Sequence, residues 1–442
     1  MSNSKLRDYP AELLSRIGKK LYLNTELADV YFVFETSDKP AQSIPAHKTF
    51  LAAASDVFAA MFSGAWIEKN EVKITDVSVP VFKEFLQFFY FDRVTVTTEN
   101  VAKVMKLGHM YDVAECLMVC DKLLKRNLDE NNAVECYELA MLLEQETLLE
   151  SCEKMIGYNA KAVFQSNDFL TCNAKTMSQI VKLNWLTCSE IELFEACMAW
   201  IKAGSKQDVV TKQMVEDQLG DSFYDIRFGS MTFNEFATLI PSYGEIFSRM
   251  EYQDIIQIIA DKDFQSNMFN GIREQRSEIN PWNRNIFPHL EDHILCRFLS
   301  LTSLYYISKM EKTVFSTSYP IFLHRIKRVS VYEYKDGQYH QPMTGMQSEV
   351  TIIEIKTSKT GEEIVMYRGK TTLYHAYLPK PILIRPGYQY EIRMKQNPTK
   401  KFCTKFLLKE EVKVNSDITI RFAACEENKG RGLIECLYFY VI

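Results

Sequence analysis

The spacing of apolar residues changes twice along this 442-residue chain. A chain whose hydrophobic period switches has to build successive regions of different secondary structure. Near the start, "ADVYFVFE" alternates, with Val30, Phe32 and Phe34 on one side and Tyr31 and Val33 on the other. That is the period-2 mark of a strand covered on both faces. From about 129 to 262 the alternation vanishes. Val134, Tyr137 and Met141, then Leu149, Cys152 and Ile156, then Met177, Ile180 and Val181, then Ile191, Phe194, Met198 and Ile201 recur at helical spacing, which predicts paired antiparallel helices. Residues 265–293, "QSNMFNGIREQRSEINPWNRNIFPHLEDH", lose periodicity and read as a linker. After it come "YPIFLHRIKRVSVYEY", "SEVTIIEIKT", "KPILIRPGYQYEIRM", "DITIRFAAC" and "LIECLYFYVI", short runs rich in β-branched and aromatic residues between turn residues. They predict an all-β domain, most simply a sandwich. The fold class is therefore multidomain α+β, divided as an N-terminal segment 1–19, a mixed domain 20–128, a helical domain 129–264, a linker 265–295 and a β-domain 296–442.

Local chemistry sharpens several boundaries. In "IPAHKTFLAAASDVFAAMF" Pro45 is expected to stop a strand and preset a helix start. Ser55 is then an N-cap for a second helix with Asp56 in its first turn, and Phe58, Met61 and Phe62 repeat at i, i+3, i+4. The stretch is a helical hairpin. "EVKITDVS" reads as a strand, and Phe82, Phe85, Leu86 and Phe89 make the apolar stripe of a helix following Pro80. Ser189 with Glu192 and Thr232 with Glu235 carry the reciprocal capping pattern. Pro386-Gly387 fits the central pair of a type II turn, with Tyr388, Tyr390 and Ile392 on one face of the returning strand.

Composition narrows the function. A formal charge of −5 gives no basic footprint for nucleic acid, and no run of about 18 apolar residues offers a membrane span. "MSNSKLRDYPAELLSRIGKK" lacks an apolar core and a small-residue cleavage site. The eleven cysteines therefore read as reduced thiols of the cytoplasm or also the nucleus. The search for chemistry is negative. "RGKT" at 368–371 looks like the end of a phosphate loop, but Ile364 stands where the leading glycine belongs. His289 and His293, with Cys296 following, share a helical spacing without a complementary ligand pair, so solvated linker histidines are the plainer reading. Cys116 and Cys120 read as small apolar packing residues. "HRIKR" and "KQNPTKK" read as solvated strand edges and turns. We expect no catalytic residues, no metal, no cofactor and no enzyme activity.

In order and spacing, "ADVYFVFE", "IPAHKTFLAAASDVFAAMFSG", "ITDV" and "FFYFDRVTV" resemble a BTB (POZ) domain over residues 20–128. "NNAVECYELAMLLEQETLLESC", "LFEACMAWIKA" and "IRFGSMTFNEFA" resemble the helical BACK domain. The C-terminal segments resemble the PHR-type β-sandwich of the BTB-BACK-PHR subfamily, with "VYEYKDGQYHQ" in place of its glycine-rich turns after the first strand.

The resemblance implies a homodimer that binds cullin-3 and serves a ubiquitin ligase as substrate adaptor, an unknown protein substrate being held by the C-terminal domain. A dimeric scaffold linked to transcription or the cytoskeleton, without ligase coupling, is the other function class. The family's hydrophobic-x-Glu cullin motif falls on Trp66, Ile67 and Glu68. Trp66 would anchor in an apolar groove while Glu68 fixes the local backbone; the other reading packs Trp66 back onto the domain or over a dimer edge. Phe62 and Tyr111 are secondary cullin-contact candidates or core. Asp29 and Lys48 match the charged pair near the dimer groove, or form a salt bridge within one chain. His47 is expected to hydrogen-bond unpaired backbone at the helix start.

Overall fold

The computed structural model describes residues 12–36, 39–63, 70–91, 93–205, 207–278, 292–306, 310–329, 332–335, 338–339, 348–355, 363–371, 375–395, 402–415, 417–423 and 433–441. They form two compact units, Met1–Arg276 and Ser277–Ile442.

The first unit opens with α1 (Glu12–Leu21), β1 (Val30–Thr36) and β2 (Lys39–Ala46). The hairpin α2 (Lys48–Ala54) and α3 (Asp56–Phe62), strand β3 (Glu71–Ile74) and helices α4 (Val79–Tyr90), α5 (Val101–Met110) and α6 (Ala114–Arg126) follow. The sheet runs β2-β1-β3, with β1 antiparallel to β2 and parallel to β3. The expected alternation is present, since Val30, Phe32 and Phe34 are buried while Tyr31 and Val33 are half-buried. Phe32 meets Phe58 and Phe82 at ring centroid distances of 5.8 and 4.7 Å, and Phe58 meets Phe89 at 5.7 Å, so one aromatic core joins sheet, hairpin and α4. Pro45 does not stop the strand. It lies inside β2, opposite Tyr31, and is tolerated because β2 is an edge strand, where a missing N–H need not break a ladder.

Helices α7 (Ala133–Leu142), α8 (Glu146–Tyr158), α9 (Ala160–Val163), α10 (Asn167–Thr171) and α11 (Ala174–Lys182) continue the unit. Then come α12 (Glu190–Ser205), α13 (Lys212–Gln218), α14 (Phe233–Tyr243) and α15 (Arg249–Ala260). In α8 the buried stripe is Leu148, Cys152, Met155 and Ile156, so Leu148 rather than Leu149 faces the core. The Thr232–Glu235 capping box opens α14, and Ser189 and Glu192 exchange hydrogen bonds at the start of α12. A third box, Ser248 with Glu251, opens α15. Its Ser-x-x-Glu pattern stands in the sequence and was not singled out.

The second unit contains β4 (Asp292–Cys296), β5 (Phe298–Tyr306), β6 (Met310–Thr317), β7 (Ile321–Arg328), β8 (Tyr332–Lys335), β9 (Gln338–Tyr339) and β10 (Glu349–Ile355). It continues with β11 (Glu363–Lys370), β12 (His375–Ile384), β13 (Gln389–Lys395), β14 (Phe402–Leu408), β15 (Glu411–Lys413), β16 (Thr419–Phe422) and β17 (Ile434–Val441). A six-stranded sheet, β11-β10-β13-β6-β16-β15, and a four-stranded sheet, β12-β7-β17-β4, share one core; a further sheet runs β5-β14-β8-β9. Phe315, Ile352, Tyr390 and Ile392 come from the larger sheet, and Leu323, Ile326, Leu437 and Phe439 from the smaller. Gly387 has φ +85°, as the type II turn requires.

Two expectations fail here. "HRIKR" is no solvated edge: it lies in β7, an interior strand, where Arg325 sits 3.6 Å over the Tyr438 ring and Arg328 is 1% exposed. Nor are all the cysteines thiols, because Cys296 and Cys436 face each other across β4 and β17 with Cα atoms 4.2 Å apart and form a disulfide. The antiparallel register creates that pair from residues 140 positions apart.

Candidate interaction site

The α2–α3 hairpin is held from three sides. At its middle, Ser55 Oγ accepts the Phe58 N–H at 3.1 Å, the expected cap, and donates to the Tyr111 carbonyl at 2.5 Å. At its start, Asp29 Oδ1 accepts the Lys48 N–H at 2.7 Å, placing a carboxylate on the positive end of α2. Asp29 and Lys48 are thus brought together through backbone. No side-chain ion pair joins them among the described residues; the Lys48 ammonium donates to Asn70 Oδ1 at 3.3 Å and lies 5.7 Å over the Phe62 ring.

His47 is buried, and its expected backbone partners are replaced by the hydroxyl of Tyr90 on α4. The Tyr90 oxygen accepts the His47 backbone N–H at 3.0 Å and lies 3.0 Å from Nδ1. Nε2 is buried with no partner among the described residues. Burial holds the His47 pKa below its ordinary value, against the opposing pull of Asp29, so the ring is a neutral architectural group.

Phe62 is half-buried at the end of α3, 5.7 Å from Phe58. Tyr111 stacks on Phe58 at 4.3 Å and is 6% exposed, so its ring contributes packing. Trp66, Ile67 and Glu68 lie outside the described residues, which end at Ser63 on this side. Apolar surface not singled out in the sequence lies nearby in the chain: Met110 ends α5 and Met118 stands on α6, 57% and 58% exposed. Leu13 and Ile17, one turn apart on α1, are also exposed.

Other candidates resolve as packing. Cys116 and Cys120 are fully buried in α6; the Cys116 thiol donates to the Val104 carbonyl, and a Cβ at Gly108 would stand 2.8 Å from its sulfur. Burial pushes the thiols of Cys136, Cys172 and Cys188 up to about 12, far from thiolate reactivity. His293 of β4 stacks on Phe439 of β17, while His289 lies outside the described residues. Residues 368–370 of "RGKT" belong to β11, not to a strand-to-helix turn. Among the described residues no group of three or more His, Cys, Asp or Glu could hold a metal, and no helix is long and apolar enough to cross a membrane.

A buried ionic cluster escaped the sequence reading altogether. Glu190, at the start of α12, accepts from Arg276 Nε at 2.9 Å, from Arg276 Nη2 at 3.1 Å and from the Arg227 N–H at 2.7 Å. Arg276 also donates to the Leu183 carbonyl, and Arg227 to Asn184 Oδ1 at 2.6 Å. No spacing announces partners 86 residues apart.

Residues 19–128 match the BTB/POZ domain family, and residues 133–219 match the family described as BTB And C-terminal Kelch, or BACK. BTB/POZ domain-containing protein 6 of Mus musculus is 32% identical over 221 residues, covering 49% of this chain and 41% of that protein. BTB/POZ domain-containing protein 3 of Homo sapiens is 29% identical over 222 residues, covering 49% of this chain and 42% of that one. Among solved structures, the BTB domain of zebrafish PATZ1 is 24% identical, covering 27% of this chain and 98% of that chain at a TM-score of 0.21. The chain thus carries BTB and BACK domains homologous to those of BTB/POZ domain-containing proteins 3 and 6, and the match spans about two fifths of those proteins' length.

Proposed function

We propose that this chain is a substrate adaptor of a cullin-3 RING ubiquitin ligase, self-associating and binding cullin through its BTB domain and holding a protein substrate on a PHR-like β-domain. The observation that carries the reading is the succession of a BTB and a BACK domain within one compact unit, followed by a separate antiparallel β unit. The exposed Leu13 and Ile17 of α1 support self-association. The half-buried Phe62 and exposed Met110 and Met118 support an apolar cullin contact, to which the sequence motif at Trp66 and Glu68 is assigned in this reading. In this reading the chain is non-catalytic and positions a substrate for an enzyme it does not itself contain.

Calorimetry with the N-terminal domain of cullin-3 tests it. The full chain is expected to bind at micromolar concentration or tighter, and Trp66→Ala with Glu68→Ala to abolish binding. An unmodified, folded chain that shows no association overturns the reading.

A further inference from the structure

The β unit leaves β11 at one end of its largest sheet. β11 ends the six-stranded sheet, pairs with β10, and has no strand on its other side among the described residues. Sheet edges are usually blunted by charge, proline or cover, because their free backbone groups recruit another strand. Here Ile364 and Val365 are 37% and 52% exposed, and most of the strand lies open.

The face beside that edge carries more cations than carboxylates. A register shift between Ile352 and Ile353 sets Val365 opposite Ile353, Arg368 opposite Thr351 and Lys370 opposite Glu349. Those three β10 positions alternate by two, so Val365, Arg368 and Lys370 occupy successive positions on one face. β13 adds Arg393 and Lys395 to it, and β6 adds Lys312. Three carboxylates share this face: Glu363 of β11 and Glu391 of β13 hold Arg393, Glu391 also lies 3.6 Å from Lys312, and Glu349 of β10, opposite Lys370, lies 3.9 Å from Lys395. Arg368 and Lys370 join no ion pair among the described residues. Arg368 lines a shallow cavity of about 250 Å³ with Met310, Glu349, Thr351, Arg393 and Lys395.

We infer that β11 takes up an extended acidic peptide as a seventh strand. Main-chain hydrogen bonds would supply affinity, and alternate side chains the selectivity. The order of side chains on this face sets the pattern for a peptide that runs parallel to β11. One apolar residue lies beside Val365 and two acidic residues, each two positions further along, lie beside Arg368 and Lys370. This rests on the proposal that the β unit holds the substrate, and names the surface and chemistry by which it would do so.

The probe is a fluorescein-labelled peptide, Thr-Val-Thr-Glu-Thr-Glu-Thr, titrated into the full chain and followed by anisotropy. The control, Thr-Val-Glu-Thr-Glu-Thr-Thr, has the same composition with its acids on the opposite face from the valine. The first peptide is expected to bind more tightly, to slow amide hydrogen exchange across residues 363–370, and to lose affinity by about tenfold or more in Arg368→Glu/Lys370→Glu, as expected when complementary charges become repulsive. Val365→Lys, at an exposed position that leaves the core intact, is expected to weaken binding as well. Equal binding of the two peptides, unchanged exchange in β11, or indifference to charge reversal in a variant of unaltered melting temperature overturns the inference. So does an assembly larger than a dimer that dissociates on the same charge reversal, which would give the edge to a second copy. Cullin binding measured on the same preparations separates the two proposals, because its absence defeats the adaptor reading whatever the peptide does.

Discussion

The two units bury acidic side chains in different ways. In the helical unit Glu190 and Arg276 are each 2% exposed in their side chains, and the carboxylate also accepts the backbone N–H of Arg227. In the β unit Glu354 is nearly as buried, but it accepts from the Tyr390 hydroxyl at 3.0 Å, and the charge beside it, Arg385 at 3.5 Å, remains 21% exposed. A carboxylate neutralised wholly inside the protein leaves its partner stranded when removed, whereas one with a hydroxyl partner and a cation at the rim keeps access to water. The helical unit is therefore the more vulnerable to loss of a single group.

Glu190→Ala puts that comparison under the greatest strain. It strips the carboxylate from Arg276 and leaves the Arg227 N–H without its acceptor, so the helical unit is expected to lose about 3–5 kcal/mol, read from its own transition in urea. A loss no larger than that of a surface substitution would break the comparison. Tyr390→Phe is the counterpart. The hydroxyl accepts the Arg385 N–H and donates to Glu354, and its removal is expected to cost about 1–3 kcal/mol, confined to the β unit's transition.

Smaller effects sharpen the comparison within the helical unit. Thr232→Ala removes one half of an exposed capping box and is expected to cost about 1 kcal/mol, seen as a modest shift in the same urea midpoint. His47 gives the smallest effect, and it depends on pH. Its folded-state pKa is lowered by burial, so on acidification the unfolded chain takes up the proton first. Its contribution is therefore complete well above about pH 6.5 and declines as pH falls below that value toward the folded pKa. Urea midpoints at pH 7.5 and 5.5 should diverge less in His47→Gln, whose side chain takes up no proton over that range, than in the unmodified chain.

Much of the fold was legible because its causes are local. Val30, Phe32 and Phe34 declare a buried face through alternation alone, and the stripes of α7, α8, α11 and α12 declare helices through periodicity, although Met141, Leu149 and Ile191 are only half-buried. The caps at Ser55, Ser189 and Thr232 and the turn at Pro386-Gly387 are spelled out within four residues. The candidate site was less legible. Asp29 and Lys48 meet through carboxylate and backbone N–H and not as a pair of charges, and His47 answers to a tyrosine 43 residues away.

The sequence by itself determined the order of a mixed domain, a helical array and an antiparallel β unit, because hydrophobic period reports burial without needing to know the partner. Only the tertiary structure decided who the partners are: Tyr90 for His47, Arg276 for Glu190, Cys436 for Cys296, and an interior place for the basic run in β7. It also decided which strand is left at the edge. These contacts arise where the chain returns on itself after tens to hundreds of residues, and no local spacing encodes the point of return.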